Sequence, residues 1–262
     1  MPRFSLNPVY WQLFYTAIDL RLQNPHFDVI AETNAFIVVN KPPHLLVHPS
    51  KPGNPPTLLD GLENLLSFDL ATGGQLSIIT RLDRETSGCV LVAKTKESAR
   101  EFGLAMQNGE FRKTYHAICW NWPDTDEFVI DVPILRKGEV DESPIWVKQI
   151  VHPDGKLCRT ECRVVRRFEK NDTPFSLIEC RPKTGRMHQI RVHLSHAGFP
   201  IVGDKIYGPS ESCYLDFIET GWTPELEEQL LLNRQALHAA KLGWKSLEWE
   251  APLTADLEAF LA

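Results

Sequence analysis

The residues best suited to carry out a reaction lie in the string Arg81-Leu82-Asp83-Arg84, where a single carboxylate stands between two arginines. Short apolar runs precede and follow this string, so the carboxylate is expected in a loop between two buried strands. A carboxylate that stays ionised there can act as a nucleophile or as a general base. The alternative is an ordinary surface ion cluster at a strand end, and this string alone favours the ion cluster.

A partner for Asp83 is suggested by the later segment that contains His188, Arg191 and Ser195. These residues recur at spacings of three and four, so on a helix they share a face that differs from the apolar one. Arg191 is therefore expected to project away from the core on a rigid element. A carboxylate removed from water needs a cation or hydrogen-bond donors to stay ionised, which makes Arg191 a candidate partner.

Metal chemistry is not favoured by the spacing of the possible ligands. On a helix only His193 and His196 would be close neighbours, since His188 lies further away, and no His-Glu-x-x-His pattern occurs. Cys158 and Cys162 are four residues apart and have no second pair nearby. The string after Asp83 also lacks the Asp-Thr/Ser-Gly order of aspartic proteases. We therefore do not expect a metal site.

Composition places the chain among ordinary globular proteins, with 262 residues, 43% hydrophobic and 24% charged. No apolar stretch approaches the roughly 20 residues that a membrane span requires. The six cysteines fall mostly inside apolar runs, which predicts reduced and buried thiols. From these features we expect a cytoplasmic protein without membrane contact.

The net charge of −6 is distributed unevenly along the chain. Residues 156–191 contain ten Lys or Arg against four Asp or Glu, an excess of +6, whereas residues 210–262 contain three against ten, or −7. Such a polarised chain can present a basic face to phosphates while it stays acidic overall. A solvated pair of strands with outward charges explains the same numbers equally well.

The periodicity of apolar residues predicts strands and helices in mixed order. Thr95 is a plausible N-cap for a helix that ends near Asn108, and residues 112–120 alternate so that Tyr115, Ala117 and Cys119 share one side. This order indicates an α+β domain with a mixed, mostly antiparallel sheet flanked by helices and loops. Further strands are expected at 36–42, 76–80, 89–94, 127–135, 159–168 and 174–181, and further helices at 58–66 and 185–198.

Several stretches resemble the RluA-type RNA pseudouridine synthases, in the order in which that family carries them. The most specific are RLDRETSGCVLVAKT (81–95) and RPKTGRMHQIRVHLSHAGFPIVGDKIYG (181–208). The resemblance covers roughly residues 30–260 and implies the pseudouridine synthase fold. The further stretches are VVNKPPHLLVHP (38–49), RKTYHA (112–117), LHAAKL (237–242) and APLTADL (251–257).

The resemblance implies that a uridine in ribosomal or transfer RNA is flipped out and isomerised to pseudouridine without metal or cofactor. Asp83 would attack the ribose anomeric carbon or take a ribose proton, Tyr115 would stack on the base, and Arg191 would pair with Asp83. Arg81 would fill the gap left by the flipped base. Together with Arg81, the residues expected to bind substrate are Arg84, Arg186, His188 and Gln189.

The resemblance also predicts the organisation of the chain: residues 1–28 as an N-terminal leader and residues 29–262 as the catalytic domain. The small N-terminal RNA-binding domain of many relatives is expected to be absent. Thr80, His44 and Thr254 depart from the family pattern of His, Gly and Pro. We expect a monomer that acts on RNA without a protein partner. A non-catalytic RNA-binding or RNA-chaperone protein on the same fold remains the alternative.

Overall fold

The computed structural model describes residues 25–49 and 55–262 of the chain. Most of the expected leader, residues 1–24, lies outside the described residues. Its last residue, Asp28, already begins the first strand, which pairs with the second.

The described chain forms twelve strands and seven α-helices, with one further 3₁₀ turn at Lys137–Glu139. The strands are β1 (Asp28–Glu32), β2 (Phe36–Lys41), β3 (Ser77–Ile78), β4 (Ser87–Ala93), β5 (Arg112–Trp120), β6 (Glu127–Asp131), β7 (Ile134–Arg136), β8 (Gln149–Val151), β9 (Arg159–Lys170), β10 (Thr173–Pro182), β11 (Leu237–Trp244) and β12 (Leu247–Glu250). The helices are α1 (Leu58–Leu65), α2 (Ser67–Ala71), α3 (Lys96–Gln107), α4 (Gln189–His196), α5 (Ser212–Thr220), α6 (Pro224–Leu230) and α7 (Ala255–Leu261).

Ten of these strands build one sheet with the order β1-β2-β4-β11-β5-β10-β9-β6, to which β3 and β12 add at β4 and β11. The pair β4–β11 is parallel, and the other described pairs of the sheet are antiparallel. The remaining strands, β7 and β8, form a separate hairpin. This mixed, mostly antiparallel sheet with flanking helices confirms the α+β prediction.

Strands β2 and β4 are buried along their whole length because helices cover both faces of the sheet there. Phe36 and Val38 point to the cluster that contains Phe102 of α3, whereas Ile37 and Val39 point to the cluster under α1. Alternate residues of a strand face opposite sides, so a continuous apolar run satisfies both clusters. The run of apolar residues at 36–39 is therefore explained by the two-sided packing.

Helix α3 begins as the sequence predicts, at the residue after Thr95. The Thr95 hydroxyl accepts a hydrogen bond from the Ser98 amide at 3.1 Å, which satisfies one of the free N–H groups of the first turn. The helix buries Phe102 and Ala105 against the sheet and ends at Gln107, with Asn108 as the C-cap.

The single strand expected at 127–135 is wrong, because the chain forms two strands there, β6 and β7. Pro133 lies between them, and a proline cannot donate a hydrogen bond to a neighbouring strand. The other predicted strands and helices are present, with shifts of up to a few residues at their ends. All six cysteines are free and buried, which confirms the prediction of reduced thiols. Among the described residues, no helix is both long and apolar enough to cross a bilayer.

Candidate active site

Asp83 lies in the loop that joins β3 to β4, and its side chain is 34% exposed. Thr80, one of the departures from the family pattern, holds the start of this loop, since its hydroxyl accepts a hydrogen bond from the Leu91 amide at 2.8 Å. At the end of the loop Gly88 has φ +113°, and a Cβ there would overlap the backbone of Ala239 on β11. The loop therefore needs glycine where it enters the parallel strand pair.

Two buried cations hold the backbone on the C-terminal side of Asp83. The Lys41 ammonium donates hydrogen bonds to the carbonyls of Pro42, Leu45 and, at 3.1 Å, Arg84. Burial lowers the pKa of Lys41 to about 7. The Arg234 guanidinium donates to the Glu85 carbonyl at 3.3 Å. The loop is thus fixed through its carbonyl groups, which leaves the Asp83 carboxylate available.

The Arg234 side chain is in turn held by two groups near the start of α7. It forms an ion pair with Asp256, and its Nη2 donates to the Thr254 hydroxyl at 2.7 Å. Thr254 is another departure from the family pattern, and here it supplies an acceptor that a proline would lack. His44, the third departure, has φ +64°, a conformation that glycine adopts more readily.

Arg191 on α4 joins Asp83 to a second carboxylate. Its Nη1 donates to Asp83 Oδ2 at 2.8 Å, while Nε and Nη2 donate to the two oxygens of Asp204 at 2.6 and 2.8 Å. Burial alone would lower the pKa of Arg191, but the charges and hydrogen bonds of Asp204, with a contribution from Asp83, raise it above its ordinary value. The guanidinium therefore stays charged beside Asp83.

The expectation that Arg191 projects away from the core is wrong. Its side chain is 6% exposed, because the fully buried Asp204 neutralises it from the loop after α4. The Asp204 carboxylate also accepts hydrogen bonds from the amides of Ile206 and Tyr207, both at 3.0 Å. The preceding Gly203 has φ +76°, and a Cβ there would overlap the Arg234 carbonyl. Helical periodicity carried no signal for Asp204, although it belongs to the Gly-Asp step of the second long motif.

His188 also lies close to Asp83, and Tyr207 contacts His188. His188 adopts φ +56° just before α4, and its Nε2 lies 3.8 Å from Asp83 Oδ2. Its Nδ1 is 2.8 Å from the Tyr207 hydroxyl, which accepts a hydrogen bond from the Gln149 amide. Burial lowers the pKa of His188 to about 4, and the nearby Arg191 charge contributes to that shift. The imidazole is therefore neutral at physiological pH. Tyr207 and the Gln149 amide were missed by the sequence analysis.

Tyr115 lies on β5 and faces the side of the sheet that α4 covers. It pairs in register with Cys180, and it packs at the margin of the cluster that contains Ile190 and Leu194. Burial raises the pKa of Tyr115, and the negative charge of Asp83 adds to the rise, so the phenol is neutral. Its hydroxyl has no hydrogen-bond partner among the described residues. A partly exposed ring with a free hydroxyl is available to a planar ligand next to Asp83.

Three of the arginines expected to bind substrate are exposed around this centre. Arg84 donates to the His44 carbonyl at 3.4 Å. The guanidinium groups of Arg81 and Arg186 have no hydrogen-bond or ion-pair partner within the described ranges. Exposed guanidinium groups without such partners are available to phosphates and bases.

Gln189, also expected to bind substrate, uses its amide within the protein. Its Oε1 accepts from the Thr184 hydroxyl at 2.6 Å and from the Arg186 amide at 3.1 Å. Its Nε2 donates to the Arg159 carbonyl and to the Thr160 hydroxyl, each at 3.1 Å. These four bonds use both donors and both acceptor positions of the amide. The geometry gives Gln189 a role in holding the turn before α4.

The basic stretch 156–191 does not form a free cationic face toward the site. Arg163 and Arg181 both pair with Glu179, which lies opposite His116 in the register, so all of them face away from Tyr115. Further cations of the stretch pair with carboxylates that the local count omitted, such as Asp131 and Asp126. In the part of the chain that the structure describes, no group of three or more His, Cys, Asp or Glu residues is arranged to bind a metal.

Comparisons with known proteins agree with the fold and the motifs. Residues 35–196, which include Asp83, Tyr115 and Arg191, match the family described as RNA pseudouridylate synthase. An uncharacterized RNA pseudouridine synthase of Chloroflexus aurantiacus is 39% identical over 85% of this chain and 64% of its own length. The ribosomal large subunit pseudouridine synthase D of Escherichia coli is 32% identical over 90% of this chain and 69% of its own.

Solved structures support the same fold. Human RNA pseudouridylate synthase domain containing 4 superposes with a TM-score of 0.69 at 23% identity, over 96% of each chain. Human RNA pseudouridylate synthase domain containing 1 has the same TM-score and identity and covers 90% of this chain and 87% of its own. The chain therefore belongs to the RNA pseudouridylate synthase family, which confirms the resemblance that the motifs indicate.

Proposed function

We propose that this chain isomerises uridine to pseudouridine within a structured RNA. The observation that carries the proposal is the hydrogen bond of 2.8 Å from Arg191 to one oxygen of Asp83, whose other oxygen has no partner among the described residues. The guanidinium orients the carboxylate, and the open oxygen is free to react. Family membership supports the same reaction.

In this proposal the N1–C1′ bond of the target uridine breaks, the uracil turns, and a C5–C1′ bond forms while the C5 proton is lost and N1 regains one. Asp83 starts the reaction, either by attack on C1′ or by removal of a ribose proton. Arg191 holds the Asp83 carboxylate in its orientation. The Tyr115 ring receives the uracil, and its hydroxyl assists proton transfer at C5 as a relay that passes on its own proton while it takes up another.

The target base must leave its stack before Asp83 can reach the sugar, so the enzyme has to stabilise a flipped nucleotide. Arg81 is exposed and unpaired among the described residues, and we assign it the space that the base vacates. Arg84 and Arg186 would contact the flanking phosphates, and His188 would lie beside the ribose. Since Gln189 has no free hydrogen-bonding group, we propose that it shapes the turn that carries Arg186.

Ribosomal or transfer RNA is the proposed substrate, and the name of the E. coli relative, ribosomal large subunit pseudouridine synthase D, makes ribosomal RNA the first to test. We further propose that residues 29–262 act as one catalytic domain, in the cytoplasm and as a monomer. The experiment is to delete the gene, map pseudouridine in total RNA, and complement with wild type or Asp83→Ala. Sites restored by wild type alone would support the enzyme and identify its RNA. Restoration by Asp83→Ala would favour the non-catalytic RNA-binding alternative.

A further inference from the structure

The hydrogen bonds around Tyr207 determine which nitrogen of His188 carries the proton. The Gln149 backbone amide can only donate, and it lies 2.8 Å from the Tyr207 hydroxyl, so the hydroxyl oxygen accepts. The single hydroxyl proton is then free to point to His188 Nδ1, also 2.8 Å away. If Nδ1 carried the proton instead, the Tyr207 hydroxyl proton would have no acceptor among the described residues, so the favoured arrangement has Nδ1 as the acceptor and the imidazole proton on Nε2.

The Nε2–H group points to the candidate catalytic carboxylate. His188 Nε2 is 3.8 Å from Asp83 Oδ2, the same oxygen that accepts the hydrogen bond from Arg191. At this distance the N–H acts as a dipole next to the carboxylate, too far for a hydrogen bond. The opposite tautomer would place a nitrogen lone pair against the carboxylate oxygen, which is repulsive.

Tyr207 also contacts Arg191, the other residue that faces Asp83. The Arg191 guanidinium lies 5.1 Å from the centre of the Tyr207 ring, and the His188 ring meets the same ring edge-on at 5.5 Å. The φ of +56° at His188 shows that the backbone is held in an uncommon conformation to place this ring. One tyrosine therefore orients both groups that face Asp83.

We propose that Tyr207 is a positioning residue whose hydroxyl holds His188 as the Nε2–H tautomer, so that Asp83 faces two N–H groups, from Arg191 and His188. The effect on catalysis rests on the proposed function, whereas the tautomer does not. A neutral N–H interacts favourably with the carboxylate without adding a second full positive charge that would weaken its nucleophilicity or basicity. The charged groups that face His188 are Asp83, Arg191 and Asp204.

The first test is nitrogen NMR of protein labelled with ¹⁵N-histidine, in which long-range proton–nitrogen correlations identify the tautomer. His188 is assigned from the signal that disappears in His188→Gln. We expect the Nε2–H form in the wild type at pH 7. In Tyr207→Phe, which keeps the ring but loses the hydroxyl, only Asp83 still favours that form, so we expect a measurable share of the Nδ1–H form. An Nδ1–H tautomer in the wild type, or an unchanged spectrum in Tyr207→Phe, would overturn the proposal.

The second test is a double-mutant cycle, measured as tritium release from [5-³H]uridine-labelled RNA of the deletion strain. With His188 present, Tyr207→Phe should lower kcat roughly tenfold, the equivalent of about one hydrogen bond. In the His188→Gln background, where the amide nitrogen of Gln takes the place of Nε2, Tyr207→Phe should lower kcat less than about twofold. Additive losses would contradict the coupling. If the wild type released no tritium from any RNA, the proposed function would fail while the NMR result stood.

Discussion

Asp204 offers the sharpest test of how the site is built, because it is fully buried and holds two of the three hydrogen-bonding positions that Arg191 uses. Asp204→Asn preserves the shape of the side chain but removes its charge. One oxygen becomes an NH₂ group that faces an N–H of Arg191, so at least one of the two bonds is lost. Among the described residues, Asp83 is then the only carboxylate that pairs with Arg191, and Asp83 is 34% exposed.

The expected loss of stability follows from the cost of leaving a buried charge without its partner. Removal of one member of a buried ion pair costs about 3–5 kcal/mol. For a domain of this size each kcal/mol shifts Tm by about 2–4 °C, so the variant should melt roughly 6–20 °C below the wild type. The cost is large because the guanidinium is 6% exposed and water cannot replace the lost carboxylate.

The assay is urea unfolding followed by tryptophan fluorescence, with thermal melting by circular dichroism as a second probe. Asp131→Asn is the matched control, because it removes a carboxylate from an ion pair with Arg159 in which both side chains are exposed. The control should lose less than about 1 kcal/mol. If Asp204→Asn were as stable as this control, the buried pair would not be the anchor of Arg191.

Three further predictions follow from the burial or exposure of single side chains. Burial lowers the pKa of both His188 and His238 to about 4. Between pH 6.5 and 4 the unfolded chain therefore binds more protons than the folded protein, so the free energy of unfolding decreases as the pH is lowered, by about 2 kcal/mol for each histidine from pH 7 to pH 5. Phe175→Ala should cost about 3–5 kcal/mol, because Phe175 is 1% exposed among three aromatic rings, whereas Phe68→Ala, at an 80% exposed position, should cost less than about 0.5 kcal/mol. Arg81→Ala should leave Tm unchanged, since its side chain has no partner among the described residues, but should lower pseudouridine formation at least about tenfold.

Each of these predictions has its own contrary result. Urea midpoints that stay constant from pH 7 to pH 5, or a slope that His238→Gln leaves unaltered, would contradict the histidine assignment. Equal losses in Phe175→Ala and Phe68→Ala would show that the aromatic cluster does not stabilise the sheet. A lowered Tm in Arg81→Ala would mean that this side chain has a structural partner, and full activity would remove it from the RNA-binding groups.

The sequence predicted those elements whose pattern is local. The alternation of Tyr115, Ala117 and Cys119 gave β5 and the face on which Tyr115 lies, and the Thr95 cap gave the start of α3. The break at Pro133 was missed, although a proline within a strand pattern is a signal against one continuous strand.

The arrangement of the site was harder to predict, since it depends on contacts between distant residues. Arg191 was expected on an exposed face because helical periodicity treats a charged residue as solvated. The residue that buries it, Asp204, comes from the loop after α4, and Tyr207 meets the Gln149 amide 58 positions away. Charge counting left a basic face and a solvated pair of strands equally possible for a related reason, since the carboxylates that neutralise the basic stretch include residues outside it, such as Asp126.

The catalytic role of Asp83 is tested most directly by comparing purified wild type and Asp83→Asn on RNA from the deletion strain. Pseudouridine is mapped by carbodiimide modification and sequencing. Asp83→Asn should fold, because its side chain is partly exposed, and equal Tm values within a few degrees would establish that. Wild type should form pseudouridine at defined uridines, and Asp83→Asn should form none. Equal yields from the two proteins would contradict a catalytic role for the Asp83 carboxylate.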